Sequence, residues 1–352
     1  GEGWQVTPPT FRFDIAIEAD LIEEVARLHG YHRLPSILPK VPLEMLPVPE
    51  GRVMPDRIRA CLNDRGYAEA ITYSFIDPAW QSALDPGHPP LALQNPLSRE
   101  MAVMRTSLLP GLLQAVLHNQ RRQQPRLRLF ETGAVFLEGE ETRIGGVAAG
   151  SAYPEQWGME KRAVDFFDVK GDVEALLALT RNAGAFRFVP GAHPALHPGK
   201  RAAIERDGEQ VGWMGALHPE LAEKFGLQGE IYAFELALEA LERARLPHFR
   251  PFSRYPAIRR DIALLVDEGI PVASVVEAVR EAAGELLSEV VLFDVYAGKG
   301  IPPGKKSLAL GLILQHISRT LTDQEVDEVV AKAMTQLKDR FGAVLRGGDG
   351  SD

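Results

Sequence analysis

Residues Phe252–Asp267 read FSRYPAIRRDIALLVD, a cationic, aromatic-bearing loop that runs straight into an apolar strand over Ile258–Val266. Arg254, Arg259 and Arg260 flank Tyr255 and Pro256 there. Two readings are open. The segment suits a nucleic-acid contact, because cations follow phosphates and an aromatic ring stacks on a base. It equally suits an edge strand blunted by charge and proline against aggregation.

The residues after this stretch decide its fold. A helix over 271–284 is opened by Pro271, a strand covers 286–296, and a second strand covers 307–315 beyond a glycine and proline loop. A helix over 322–341 then starts with Thr322 and Glu325 as a capping box, and a short strand closes the run. The order β-α-β-β-α-β over 252–346 is that of a ferredoxin-like sandwich, with GGDGSD (347–352) expected to be a disordered tail. The loop GKGIPPG (298–304) imitates a phosphate loop, but no helix comes after it and its glycines miss the required spacing. Lys299, Lys305 and Lys306 make this hairpin a cationic arm, either for RNA phosphates or as a solvated loop. The strand SLALGLILQ lacks the aromatic residues on which RNA recognition motifs stack bases.

Upstream, residues 51–245 mix helices with strands. A helix from Pro55 to Arg65 stops at Gly66, AITYSF reads as a strand, and LLPGLLQAVLHNQRR reads as an apolar helix. LRLFETGAVFL and IGGVAAG come next as strands, and FFDVKG as a strand leading into the helix DVEALLALTRNAG. AAIERDGEQVGWMG is a hairpin, because Asp207-Gly208 supplies the positive backbone angles of a tight turn. The block is an antiparallel sheet with helices packed on it, so the whole chain is α+β. Prolines 35, 39, 42, 47 and 49 make 37–50 a linker.

Before the linker, residues 1–36 hold FRFDIAIE (11–18), whose strict alternation predicts a half-buried strand, and a helix from Asp20 to Gly30 with Leu21, Ile22, Val25, Ala26 and Leu28 on one stripe. Asp14, Asp20, Glu23 and Glu24 place four carboxylates within this segment. They suit an all-oxygen magnesium site, or Asp20 and Glu23 form a capping box at a helix N-terminus that favours acids anyway. His193 and His197 have zinc-like spacing, but Pro194 and Pro198 predict a loop and no third ligand is evident.

At 352 residues, 45% apolar and 25% charged, the composition is that of a globular protein of two or three domains. No apolar run is long enough to cross a bilayer, and the first residues lack the pattern of a signal peptide. Cys61 is the sole cysteine, which excludes an internal disulfide and fits a reducing, cytoplasmic setting. A net charge of −9 argues against sequence-blind polyanion binding, although residues 248–346 balance 13 basic against 13 acidic side chains. The chain opens without methionine and inside a strand-like pattern, so it is expected to be part of something longer. No nucleophile elbow, Walker loop or catalytic dyad occurs, and no catalytic residue is expected.

FSRYPAIRRDIALLVD, LFDVYAGKGIPPGKKSLALGLILQ and RTLTDQEVDEVVAKAMTQLKDRFGAVLRG together resemble the ferredoxin-fold anticodon-binding domain that ends the bacterial phenylalanyl-tRNA synthetase beta subunit. NPLSREMAVMRTSLLPGLL, RLFETGAVF, FFDVKGDVEALL, LHPGKRAAI and GALHPELAEKFGL resemble its catalytic-like domain, and FRFDIAIEADLIEEVARLHGY the end of the small domain before it. The resemblance implies a class II synthetase fold without chemistry. An active class II site needs an arginine two positions before a glutamate on one strand and a glycine-rich arginine motif on another. Here Arg128 stands three before Glu131 and the second motif is missing.

On this basis ATP is expected on the partner alpha subunit of an α2β2 enzyme, with tRNA(Phe) as the other partner and no membrane. The resemblance also implies magnesium at Asp14, Asp20, Glu23 and Glu24. Arg254, Tyr255, Arg259, Arg260, Lys299, Lys305 and Lys306 are candidate RNA contacts by charge. The family's oligonucleotide-binding module and editing site have no counterpart here, so the chain is not expected to edit mischarged tRNA. A freestanding adenylate-forming ligase and a non-enzymatic RNA-binding or assembly module are the rival readings.

Overall fold

A computed structural model describes residues 3–38, 40, 49–249 and 251–346. Most of the proline-rich linker and the 347–352 tail lie outside the described residues. The chain divides into two compact units after Leu246, and each is described by itself.

In chain order the first unit comprises α1 (Glu18–His29), α2 (Pro55–Asp64), β1 (Ala68–Glu69), β2 (Phe75–Ile76), α3 (Pro78–Leu84), β3 (Val103–Met104), α4 (Leu109–Gln120), β4 (Arg126–Phe136), β5 (Glu140–Gly150) and α5 (Phe166–Leu179). It continues with β6 (Phe186–Val189), β7 (Leu196–Arg206), β8 (Glu209–Leu217), α6 (Pro219–Phe225), β9 (Ile231–Ala237) and α7 (Leu238–Glu242). Seven strands form one sheet in the order β1-β4-β5-β9-β8-β7-β6, antiparallel apart from the β1–β4 pair. The turn between β7 and β8 has φ of 53° at Asp207 and 89° at Gly208, as the Asp-Gly pair predicts.

Because side chains alternate along a strand, this sheet has two apolar faces, and both are covered. Phe130, Ile144, Met214, Phe234 and Leu236 pack under α2, α5 and α7. Leu127, Val147, Ala149, Trp213 and Leu217 pack under α3, α4 and α6 on the opposite side.

Three sequence expectations fail here, each for a physical reason. FFDVKG is not a strand but the start of α5: the Asp165 carboxylate accepts from the Phe167 and Asp168 amides at 2.8 and 2.9 Å, and Asp168 returns the bond to the Asp165 amide at 2.9 Å. That reciprocal cap satisfies the orphan amides of a helix and overrides the local β preference of two phenylalanines and a valine. AITYSF (70–75) is not a strand; it connects Ala68–Glu69 to Phe75–Ile76, which pair with different neighbours, and its Thr72 side chain bonds Glu131 instead.

FRFDIAIE forms no strand either. A strand exists through a hydrogen-bonded neighbour, and among the described residues none pairs with it, so Phe11 and Phe13 are 76% and 94% exposed. α1 begins at Glu18 with Ile17 as its N-cap, and Asp20 sits in its first turn rather than at its start. No residue of α1 is buried.

The second unit is the β-α-β-β-α-β sandwich: β10 (Ile258–Asp267), α8 (Val272–Ala283), β11 (Leu287–Tyr296), β12 (Lys305–Leu314), α9 (Asp323–Phe341) and β13 (Val344–Leu345). Strand order is β11-β12-β10-β13, all antiparallel. Ile262, Leu264, Val266, Leu308, Leu310 and Leu312 pack with Val275, Val279 and Leu337, so both helices lie on one face. The Thr322 cap is formed as read: its hydroxyl accepts from the Glu325 amide and the Glu325 carboxylate accepts from the Thr322 amide.

Candidate nucleic-acid interface

In the first unit the spacing of Arg128 and Glu131 has a geometric result. Three positions on a strand place two side chains on opposite faces, whereas two positions would place them together. Arg128 pairs with Asp172 under α5, its guanidinium lying 5.2 Å from the centre of the Tyr67 ring. Glu131 pairs with Arg105 at 2.7 Å and accepts from the Thr72 hydroxyl at 2.8 Å on the other side. Both pairs are buried, under faces that helices already cover. Neither presents a guanidinium to a nucleotide.

The four front carboxylates do not fit a magnesium ion as they stand. The Arg12 guanidinium takes Asp14 at 2.8 Å and Glu24 at 2.7 Å, and Arg27 takes the second Glu24 oxygen. These hydrogen bonds, that from Arg12 first, hold Glu24 down at about 2. Asp20 is lowered by the Ala16 and Ile17 amides, which donate to it at 2.8 and 2.9 Å. Among the described residues no group of three or more His, Cys, Asp or Glu side chains converges to hold a metal.

The two histidines separate as well. His193 lies in a loop, its ring 4.3 Å from that of Trp213, while His197 falls on β7 rather than in the expected loop. Burial, aided by Arg201 and opposed by Asp85, lowers His193 to about 4. It therefore folds neutral, and protonation favours the unfolded chain. Stability is fully present above pH 6.5 and falls as pH drops from there toward 4. The expected loss is about 2 kcal/mol. Urea unfolding of the chain and of His193→Gln at pH 7 and pH 4.5 measures it. Equal losses in both would assign the effect elsewhere.

In the second unit the candidate RNA residues are not one patch. Arg259 and Arg260 are consecutive on β10 and face opposite ways. Arg260 turns to the helix side and binds Asp323 at 2.7 Å and Asp327 at 3.5 Å. Arg259 lies on the side without helices, bound to Asp261 at 2.7 Å. The Tyr255 carbonyl accepts from the Gln315 amide at 2.7 Å, which ties the Arg254–Tyr255 loop to the end of β12. Lys305 and Lys306 stand at the beginning of β12 instead, bound to Asp267 and the Glu268 carbonyl, each at 2.8 Å. They belong to the strand and not to the arm, where Lys299 alone remains of the three.

Ten-residue strands separate these two ends by about 30 Å, and the sheet face opposite the helices joins them. That face carries residues absent from the sequence-based candidates. Phe293 and Tyr296 on β11 are 50% and 38% exposed, with Arg259 5.3 Å from the centre of the first ring and Arg346 5.6 Å from the second. Arg346 also reaches the Ser307 hydroxyl at 3.4 Å. The aromatics that SLALGLILQ lacks sit on the neighbouring strand, where the register shift between Leu292 and Asp294 re-aims Phe293. A bulge of this kind leaves no mark in a periodicity.

Comparison with known proteins bears on both units. The family described as "Phenylalanyl tRNA synthetase beta chain CLM domain" matches residues 34–238. The chain belongs to this family. Within the phenylalanyl-tRNA synthetase beta chain frame, a "Ferredoxin-fold anticodon binding domain" matches residues 253–346 and a "tRNA synthetase B5 domain" residues 1–31.

Relatives named phenylalanine–tRNA ligase beta subunit are 51% identical in Pseudomonas savastanoi pv. phaseolicola, 52% in Nitrosococcus oceani and 48% in Vibrio cholerae. The matches cover 97–98% of this chain but 44% of each relative. The chain thus spans less than half the length of the beta subunits it matches. Among the described residues no helix is long and apolar enough to cross a membrane.

Proposed function

We propose that this chain is the part of a phenylalanine–tRNA ligase beta subunit that supports the alpha subunit and contacts the anticodon region of tRNA(Phe). The enzyme in this reading is an α2β2 assembly in the cytoplasm that joins phenylalanine to its tRNA. ATP and the magnesium that accompanies it belong to the alpha subunit's site. The residues that would correspond to an ATP clamp here are engaged in buried pairs on opposite faces of the sheet.

The observation that carries the RNA part is the open face of the 253–346 domain, where exposed aromatics lie beside arginines. Rings flanked by cations suit unpaired bases on a charged strand. Magnesium held by Asp14, Asp20, Glu23 and Glu24 forms no part of the reading, because Arg12 already holds Asp14 and Glu24, Arg27 holds Glu24, and the Ala16 and Ile17 amides hold Asp20.

Mixing the chain with the alpha subunit and assaying the complex tests the proposal. Arg259→Glu is expected to raise KM for tRNA about ten-fold, a change of roughly 1.4 kcal/mol, and to leave phenylalanine-dependent ATP–pyrophosphate exchange unchanged. Absence of a complex, or unaltered tRNA kinetics, would remove the reading.

A further inference from the structure

The Arg259 side chain does not reach outward as a phosphate-seeking arginine would. It lies across the sheet over Gly311, the β12 residue opposite Asp261. A Cβ built on Gly311 would come within 3.0 Å of Nε and Nη2 and 3.1 Å of Cζ, so the guanidinium rests on glycine backbone and a methyl group would lift it. One edge of the guanidinium is held by Asp261, Nε donating to Oδ1 at 2.7 Å. Its Cζ lies 5.3 Å from the centre of the Phe293 ring.

The Asp261 bond neutralises the charge locally and ties down one edge, which makes Arg259 a poor partner for phosphate. What it offers is a flat cationic plane fixed at three places, with a half-exposed side chain above a floor of Gly311 and beside a half-exposed ring. Guanidinium planes and aromatic faces are the surfaces on which unpaired bases stack.

We propose that Arg259, laid over Gly311 and against Phe293, is a stacking platform for one unpaired base of an RNA strand crossing this face. The platform rests on the reading that the open face meets RNA, and it changes the part Arg259 plays there from charge to shape. It also assigns a reason to Gly311, whose lack of a side chain lets the plane lie flat.

The test uses the full chain with a single-stranded oligouridine carrying one internal 2-aminopurine, whose fluorescence is quenched by stacking, and an RNA duplex as comparison. Arg259→Lys keeps the charge and loses the plane, Gly311→Ala keeps the charge and lifts the plane, and Phe293→Leu removes the ring. Each is expected to weaken single-strand binding about five-fold and to relieve quenching, with the salt dependence and the duplex affinity unchanged. Circular dichroism checks that Gly311→Ala is folded, and Arg259→Lys, at an exposed position, stands independently of that check.

An Arg259→Lys variant that binds and quenches like the parent overturns the platform. So does equal weakening toward duplex and single strand, which would make Arg259 a phosphate contact. If the parent binds neither RNA, the RNA reading of the face fails with it. Variants that leave RNA binding intact but weaken association with the alpha subunit make the face a protein interface and overturn the platform alone.

Discussion

Asp172→Ala is expected to destabilise the first unit by about 4 kcal/mol. Asp172 is buried on α5 and collects three donors from distant parts of the chain: Arg65 Nε at 2.6 Å, the Tyr67 hydroxyl at 2.9 Å and the Arg128 guanidinium. Its removal strands Arg128, whose Nε is already without a hydrogen-bond partner, in a pocket where its side chain is 7% exposed. An unpaired buried charge costs more than the pair contributed, because the desolvation penalty persists when the attraction is gone. The Tyr67 hydroxyl, whose own pKa burial and Asp172 raise, loses its acceptor as well.

Urea unfolding combined with hydrogen exchange along β4 measures the loss. The double change Asp172→Leu with Arg128→Met should recover most of it, since apolar residues of similar size replace such pairs at little cost. A single variant within about 1 kcal/mol of the parent would mean that water reaches Arg128 and that the pair is not closed.

The second large effect is expected at Phe234→Ala, about 4 kcal/mol. Phe234 is 1% exposed at the middle of β9, edge-on to Tyr67 at 6.2 Å between ring centres. It fills a space that a neighbouring glycine leaves empty: a Cβ on Gly146 would stand 2.5 and 2.6 Å from two Phe234 ring carbons. Gly146→Ala should therefore destabilise the parent and do so less beside Phe234→Leu, a coupling that thermal and urea unfolding of the four proteins reads directly. Additive effects would show that the ring and the glycine do not share the space.

How far the sequence disclosed all this depends on whether the determining interaction was local. β10 was readable nearly to the residue, because Pro256 and the acidic turn after Asp267 bound an apolar alternation, and the α9 cap lay within four positions. α5 was not, although Asp165 and Asp168 announced its start; an Asp-Asp cap ahead of Phe-Phe reads less clearly than a Thr-Glu cap. FRFDIAIE alternates as a strand does, yet alternation says nothing of whether a partner strand is present.

At the candidate interface the charges were visible and their directions were not. Adjacent arginines looked like one patch, and strand geometry sent Arg260 to α9 while Arg259 stayed on the open face. Phe293 was hidden by the bulge that exposes it. That Arg128 and Glu131 lie on opposite faces, by contrast, was legible as a spacing, because three positions on a strand turn two side chains apart.

The place of β13 has a consequence for synthesis. β10 is an inner strand, yet its second neighbour is formed by Val344 and Leu345, the last strand of its sheet. As the ribosome delivers this unit from its amino end, the Ala263 carbonyl and the backbone polar groups of Leu265 wait through both helices and two strands before that border is sealed. A nascent chain halted before Val344 would carry β10 as an open apolar border, prone to recruit another unfinished chain.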